Sequence, residues 1–348
     1  MNKPIAVDLF AGCGGLSLGV ELAGFEVRVA VEKQEQHVQI HEQNFPECSV
    51  ILADIKEVQG GLIKTTADTD EIHLLCGGPP CQAFSSDGKQ REGDERSLLV
   101  WEYARLVEEL QPRYFIFENV AALATKKFQK LFYELLRRFY DLGYQTTHKV
   151  LNAQHYGVPQ DRDRLIVLGS RSEFVRFPKP LITTPKVWDA IGDLPEPQST
   201  SEDALSVELF GEPSLYASTL RDSNLTTVSG FLKTNHSEEV QERFLTAAPG
   251  KKEAISRFHK LNPNGVCCTL KAGTTTERGS HTAARPIHPH SPRVITVREA
   301  ARLHSYPDWF KFHPSKHWGF MQVGNSVPPS MGKAIAQQIY SLCSTIGT

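Results

Sequence analysis

No run of this 348-residue chain approaches the ~20 consecutive apolar residues that a membrane-spanning helix needs, so no membrane partner is expected. The opening Met1-Asn2-Lys3-Pro4 leads straight into Ile5-Ala6-Val7 and lacks the basic-then-apolar pattern of a secretory leader. Cysteine is sparse and odd in number. The seven (Cys13, Cys48, Cys76, Cys81, Cys267, Cys268, Cys343) include no C-x-x-C spacing, which argues against a disulfide framework and a zinc module and predicts a reducing, cytoplasmic setting. Histidines recur between His281 and His317, but none pair at a helical ligand spacing backed by carboxylates, and no metal is expected. An excess of one charge is lacking too: 38 Lys and Arg face 40 Asp and Glu, so a net charge of −2 gives no bulk attraction for nucleic acid.

What the sequence does have is a rhythm. Apolar runs alternate with amphipathic stretches through the first half, predicting strands near 5–11, 26–32, 49–53, 72–76, 114–118, 144–151 and 163–169 with helices between. That alternation predicts an α/β fold with a largely parallel sheet and helices on both faces, and the length leaves room for a smaller second domain. Between Glu102 and Gln111, residues Tyr103, Leu106, Val107 and Leu110 form one helical stripe, read as core. After Gly169 the rhythm stops. Phe177-Pro178-Lys179-Pro180 and Leu194-Pro195-Glu196-Pro197 break regular structure, and short irregular pieces follow to about Arg293. Helix resumes at Thr296, which forms a capping box with Glu299, and a last helix opens at Pro328-Pro329 with Met331, Ile335 and Ile339 on one face. Charge is also unevenly spread: Arg257, Lys260, Lys271, Arg278, Arg285, Arg293 and Arg298 lie in one stretch whose single acid is Glu277, which predicts a basic face suited to phosphates.

Three strand ends point at one nucleoside-shaped ligand. Ile5 to Gly19 reads as a strand, a glycine turn (Gly12, Gly14, Gly15) and the start of a helix, an arrangement that lets a ligand approach backbone amides. No glycine follows Gly14 at the spacing of a dinucleotide fingerprint, which disfavours a thiol-dependent nicotinamide enzyme. Glu32 ends the next strand, placed to accept ribose hydroxyls, and Asp54-Ile55 end the third, where an adenine would be read. The fourth strand runs into Gly77-Gly78-Pro79-Pro80-Cys81-Gln82, a stiff turn at a carboxyl edge, where open α/β sheets place reactive groups. Taken alone, Cys81 reads equally as a nucleophile and as a small buried hydrophobe.

With these motifs in this order the chain resembles the DNA (cytosine-5) methyltransferases from about Ile5 to the C-terminal helix. Asp8-Leu9-Phe10-Ala11-Gly12-Cys13-Gly14-Gly15 looks like the S-adenosylmethionine loop, Gly78-Pro79-Pro80-Cys81-Gln82 like the nucleophile loop, and Glu118-Asn119-Val120 like the triplet that holds the target base. Gln160-Asp161-Arg162-Asp163-Arg164, Arg298 to Leu303 and Gln322 to Pro329 are similar to the remaining elements, while Lys33 stands where the family often has an apolar or aromatic residue.

The resemblance implies a Rossmann-like class I methyltransferase sheet with a discontinuous catalytic domain (1–170 and 294–348) around a small target-recognition domain (171–293). It also implies a roster of roles. Cys81, Glu118, Arg162 and Arg164 would be catalytic; Phe10, Gly12, Cys13, Gly14, Gly15, Glu32, Asp54, Ile55, Pro79, Asn325 and Val327 would bind S-adenosyl-L-methionine, leaving S-adenosyl-L-homocysteine. Gln82 in the nucleophile loop, Ser85, Lys89, Arg91 and Arg96 in the polar stretch Ser85 to Ser97, which reads as a lid over the flipped base, and Lys271 and Arg278 would contact double-stranded DNA. A monomer in a bacterial or archaeal cytoplasm follows, associated with the nucleoid when on DNA, with a restriction endonuclease of the same site as a partner. Two alternatives stand beside it: a tRNA-methylating enzyme of the same fold, and a catalytically silent DNA-binding module.

Overall fold

The computed structural model describes residues 3–80, 99–273 and 285–345. The chain divides into two compact units, one of Met1–Asn152, Asp163–Pro180 and Met331–Thr348, the other of Ala153–Arg162 and Leu181–Ser330.

The first unit is built on seven strands: β1 Ile5–Leu9, β2 Glu26–Glu32, β3 Ser49–Leu52, β4 Leu74–Gly77, β5 Tyr114–Val120, β6 Gln145–Asn152 and β7 Asp163–Ser170. Their order is β3-β2-β1-β4-β5-β7-β6. Pairings from β3 across to β5 are parallel, and β7 runs antiparallel to both β5 and β6. The chain therefore moves outward from β1 in one direction and from β4 in the other, making a topological switch point between them, where carboxyl ends of strands open a crevice. Helices α1 Gly15–Leu22, α2 Glu35–Asn44, α3 Gly60–Ala67, α4 Leu99–Leu110 and α5 Gln129–Asp141 alternate with the strands, as the apolar rhythm predicts. The stripe on α4 is core: Tyr103, Leu106, Val107 and Leu110 are each 0–1% exposed and pack with Phe115, Phe117 and Phe139.

Among its described residues the second unit holds five α-helices and a short antiparallel pair: α6 Val187–Ile191, β8 Leu205–Ser206, α7 Leu215–Leu220, β9 Thr227–Val228, α8 Glu238–Thr246, α9 Val297–Leu303 and α10 Lys316–Asn325. The Thr296 capping box with Glu299 is present. The last helix, α11 Pro329–Thr345, buries Met331, Ile335 and Ile339 as expected, and from Met331 it belongs to the sheet unit. Residues 294–330 cluster with 181–293, so these compact units differ in bounds from the domain division expected from the sequence. Buried arginines show why. Arg302 donates to both Asp308 carboxylate oxygens (2.6 and 2.7 Å) and lies 3.3 Å from Asp193, while Arg293 is held by Glu196 and Glu299.

The same burial corrects the expected basic face. Arg293 and Arg298 are sealed, Arg298 donating to the carbonyls of Ser229, Pro307 and Phe310, and the Lys260 ammonium donates to those of Phe244 and Leu245. Arg285 lies over the Phe320 ring at 4.2 Å. Arg257 and Lys271 remain exposed, and Arg278 lies outside the described residues. In a unit with little regular structure, Arg298 and Lys260 satisfy backbone carbonyls that lack an intrahelical or ladder donor, while Arg293 neutralises carboxylates.

Candidate active site

The glycine loop caps β1. Phe10 has φ 58°, a left-handed backbone uncommon for a bulky residue, and its ring packs on the core. Gly14 (φ 96°) is the N-cap of α1, and a side chain there would run into the rings of Phe45 and His41. Gly12 has open space where a Cβ would stand, and its N–H donates to Glu32 Oε2 at 2.9 Å. Cys13 and Gly15 are buried.

Glu32 is almost closed off. Its Oε1 accepts the Gln34 N–H at 2.8 Å and lies 3.6 Å from His37 Nδ1. Burial alone would raise its pKa, but the hydrogen bond and charge of His37, with the Gln34 and Gly12 amides, outweigh it and hold the carboxyl below the usual range. It is therefore ionised at neutral pH, and Oε2, which accepts only the Gly12 N–H, keeps a lone pair for a hydroxyl donor. Asp54 is more committed: Oδ2 pairs with Lys33 Nζ at 2.9 Å and Oδ1 accepts the Lys56 N–H, while the Ile55 side chain is in the core.

A polar array beneath the loop was not expected from the sequence. Asp8, 1% exposed at the end of β1, accepts a bond from Ser17 Oγ at 2.6 Å, and Ser17 Oγ lies 3.0 Å from His41 Nε2. Because the hydroxyl proton goes to Asp8, the His41 nitrogen facing it is the N–H donor. Burial pushes the Asp8 carboxyl up to about 7 and the His41 imidazole down to about 4. A hint was present in the sequence: His37 and His41 are four apart on one helix face, and Ser17 is a polar residue among Leu16, Leu18 and Val20.

At the end of β5, Glu118 is 9% exposed and its Oε1 is paired with Arg164 Nε at 2.7 Å. Antiparallel pairing of β5 with β7 sets Val120 opposite Arg164, so the two strands bring carboxylate and guanidinium together. A Cβ on Gly78 would stand 2.5 Å from Glu118 Oε2, so any larger residue there would push this carboxylate from its position. Asn119 Nδ2 donates to the Pro79 carbonyl at 3.2 Å and braces the buried first proline of the turn. The site thus gains Asn119, a positioning residue absent from the sequence-based roster. Cys81, Gln82, Ser85, Lys89, Arg91 and Arg96 lie outside the described residues.

Arg162 belongs to the second unit, where its guanidinium is fully buried and donates to the carbonyls of Leu270, Gly324 and Ser326. Lys271, Asn325 and Val327 are also in that unit, the first two exposed and Val327 buried.

This sheet order, with a glycine loop and an ionised carboxylate on adjacent strand ends, defines an α/β enzyme of the nucleoside-binding methyltransferase class. The model of the C-5 cytosine-specific DNA methylase family matches residues 5–341, and the chain belongs to that family. Among its relatives, type II methyltransferase M.XorII of Xanthomonas oryzae pv. oryzae is 45% identical over 97% of this chain and 85% of its own length. Type II methyltransferase M1.HphI of Haemophilus parahaemolyticus is 32% identical over 97% and 86%. A solved structure described as that of a DNA modification methyltransferase, encoded within an E. coli prophage, superposes with a TM-score of 0.85 at 33% identity, over 98% of this chain and all of that one. The Dnmt2 methyltransferase of S. pombe, at 16% identity and a TM-score of 0.63, over 99% of this chain and all of that one, shares the fold. The chain is thus a DNA cytosine-5 methyltransferase acting on DNA, and family and fold imply S-adenosylmethionine as its methyl donor. No described helix is long and apolar enough to cross a membrane.

Proposed function

We propose that this enzyme flips its target cytosine out of the duplex and attacks C6 with the Cys81 thiolate. Cytosine C5 is a weak nucleophile, and C5 inside a stacked pair is out of reach, so the base must be extruded at a cost of a few kcal/mol of unstacking. Sulfur addition at C6 moves electron density onto C5 and N3. Glu118 holds the base at N3, where charge builds, and Arg164 keeps that carboxylate oriented. After C5 gains the methyl group, loss of its proton and β-elimination re-form the C5–C6 double bond and release Cys81. S-adenosylmethionine, when bound, supplies the electrophilic methyl group. Its amino-acid and nucleoside parts suit the residues present: the Gly12–Gly15 amides, the ionised Glu32, the left-handed Phe10, and Asp54, Ile55, Pro79, Asn325 and Val327. The observation that carries this reading is the Glu118–Arg164 pair packed against Gly78, three residues before Cys81.

The same reading gives Gln82 and the lid side chains Ser85, Lys89, Arg91 and Arg96 to the flipped strand, and Lys271 and Arg278 to the duplex. It makes residues 171–293 the segment that reads sequence, and gives the enzyme, a cytoplasmic monomer, a restriction endonuclease of the same site as its partner. The type II names of its relatives support that partner. DNA carrying 5-fluorocytosine has no C5 proton to lose, so the wild type should leave a denaturation-resistant adduct and Cys81→Ser none. An adduct that persists in Cys81→Ser would sink the assignment.

A further inference from the structure

Arg162 is a guanidinium with no exposed surface, and its three described bonds all end on backbone carbonyls. Nη1 donates to Leu270 at 3.0 Å, and Nη2 to Gly324 at 2.8 Å and Ser326 at 3.0 Å. A second route joins the same two segments. Gln160 Oε1 accepts the Leu270 N–H at 3.1 Å, Gln160 Nε2 lies 2.9 Å from His304 Nδ1, and His304 Nε2 lies 3.1 Å from the Ser326 carbonyl. Because an amide N–H donates to Nδ1, His304 is the neutral tautomer carrying its proton on Nε2, directed at Ser326. The result is a closed ring of hydrogen bonds: Leu270, Gln160, His304, Ser326, Arg162 and back to Leu270. The segments also touch directly, since a Cβ on Gly324 would stand 2.6 Å from Ala272 Cα. Every member lies in the second unit.

The two segments joined by the ring lead to different ligands. Lys271 follows Leu270 and, on the reading above, contacts DNA; Asn325 and Val327 flank Ser326 and, on the same reading, contact the methyl donor. A desolvated cation costs several kcal/mol unless its donors are satisfied, and here the three Nη bonds can be made together only while both segments hold one mutual position. We propose that Arg162 is a positioning residue that couples the two ligands, so that filling the Asn325–Val327 turn favours the Lys271 segment geometry that binds DNA, and the reverse. Coupling of this kind is reciprocal by thermodynamic necessity.

The test uses the full chain, S-adenosylhomocysteine as the small ligand, and a duplex bearing the site located by bisulfite sequencing of DNA from expressing cells. Duplex affinity is measured with and without S-adenosylhomocysteine, and S-adenosylhomocysteine affinity with and without duplex, alongside the melting temperature. In the wild type each ligand should tighten the other by about tenfold. In Arg162→Lys, whose ammonium cannot span three carbonyls on two segments, that factor should fall to about two or below while each ligand alone binds within a few-fold of wild type. Should Arg162→Lys fail to fold, His304→Gln opens the ring at one bond and should lower the factor part-way. An unchanged factor in the folded variant, no coupling in the wild type, or single-ligand losses that merely follow a lowered melting temperature would each overturn the proposal. Lys271→Ala and Asn325→Ala serve as separate arms: wild-type single-ligand affinity in either shows that the assignment of that ligand, rather than the ring, has failed.

Discussion

Single side chains in this site are set by what they are buried against. Glu32 and Asp8 are both enclosed carboxylates at neighbouring strand ends, yet Glu32 is held below the usual range by His37 and two amides while burial carries Asp8 up to about 7. For Asp8 the bonds from Ser17 and Cys76 work against burial and the charge of Glu32 adds to it. The folded protein therefore holds a proton that the unfolded chain releases above about 4, and the stability this contributes, full below about 4, is lost as pH rises through about 7. His41 slopes the other way: its contribution is present above about 6.5 and lost as pH falls through about 4. Over that shared range the two offset. Asp8→Asn keeps the acceptor for Ser17 but cannot titrate, so its urea midpoint should rise from pH 4 to 6.5, and its stability relative to wild type should grow by roughly a few kcal/mol from pH 4 to 7, at ~1.4 kcal/mol per pKa unit. Parallel midpoint-against-pH curves for the two proteins would show that Asp8 is not titrating in this window.

Close packing between elements is as demanding as any bond. Helices α1 and α11 cross through Gly19 and Gly332, and a Cβ on Gly19 would stand 2.8 Å from the Gly332 Cα and the Lys333 nitrogen. Both obstacles are backbone, which cannot turn aside as a flexible side chain would. Gly19→Ala should therefore cost ~1–3 kcal/mol by forcing the helices apart, despite the gain in helix propensity, and denaturant unfolding measures it directly. A neutral or stabilising effect would mean that α11 shifts without loss. Much of this level was legible in the sequence. Strand positions, the α4 stripe, the Thr296 capping box and the buried face of α11 all follow from periods of two or 3.6 residues and from cap chemistry. Each such signal is local.

At the scale of the whole molecule, near-neutral net charge hides a division of labour among the basic residues. Arg302 stands against Asp193 and Asp308, all within 5% of full burial, and Arg302→Met would strip buried Asp308 of its bidentate partner while Asp193 keeps Arg221. A loss of ~3–5 kcal/mol is expected, with binding to every DNA sequence falling only as the folded fraction falls. Lys271 is exposed, and Lys271→Ala should instead leave stability within ~0.5 kcal/mol and lower the slope of log affinity against log salt by about 1. Thermal melts and anisotropy at two salt concentrations separate the two behaviours. A Lys271→Ala protein with an unchanged slope would place the phosphate contacts elsewhere.

The sequence by itself determined the fold class, the order of the motifs and the family, because strands, helices and strand-end turns write their periods and breakers along the chain. It also put Phe10, Glu32, Asp54 and Glu118 at strand ends, since a residue's place on a strand is a matter of counting. Tertiary structure alone decided which charges are sealed and what they hold. Arg162, Lys260, Arg293 and Arg298 look like any other basic residues in a polar stretch, and each is held at least in part by a carbonyl or carboxylate from a separate segment, Leu270, Phe244, Glu196 and Ser229 in turn. Asn119 against Pro79 and His41 against Ser17 have the same origin. In an irregular segment no period fixes where a side chain points, and only packing on the rest of the unit does so.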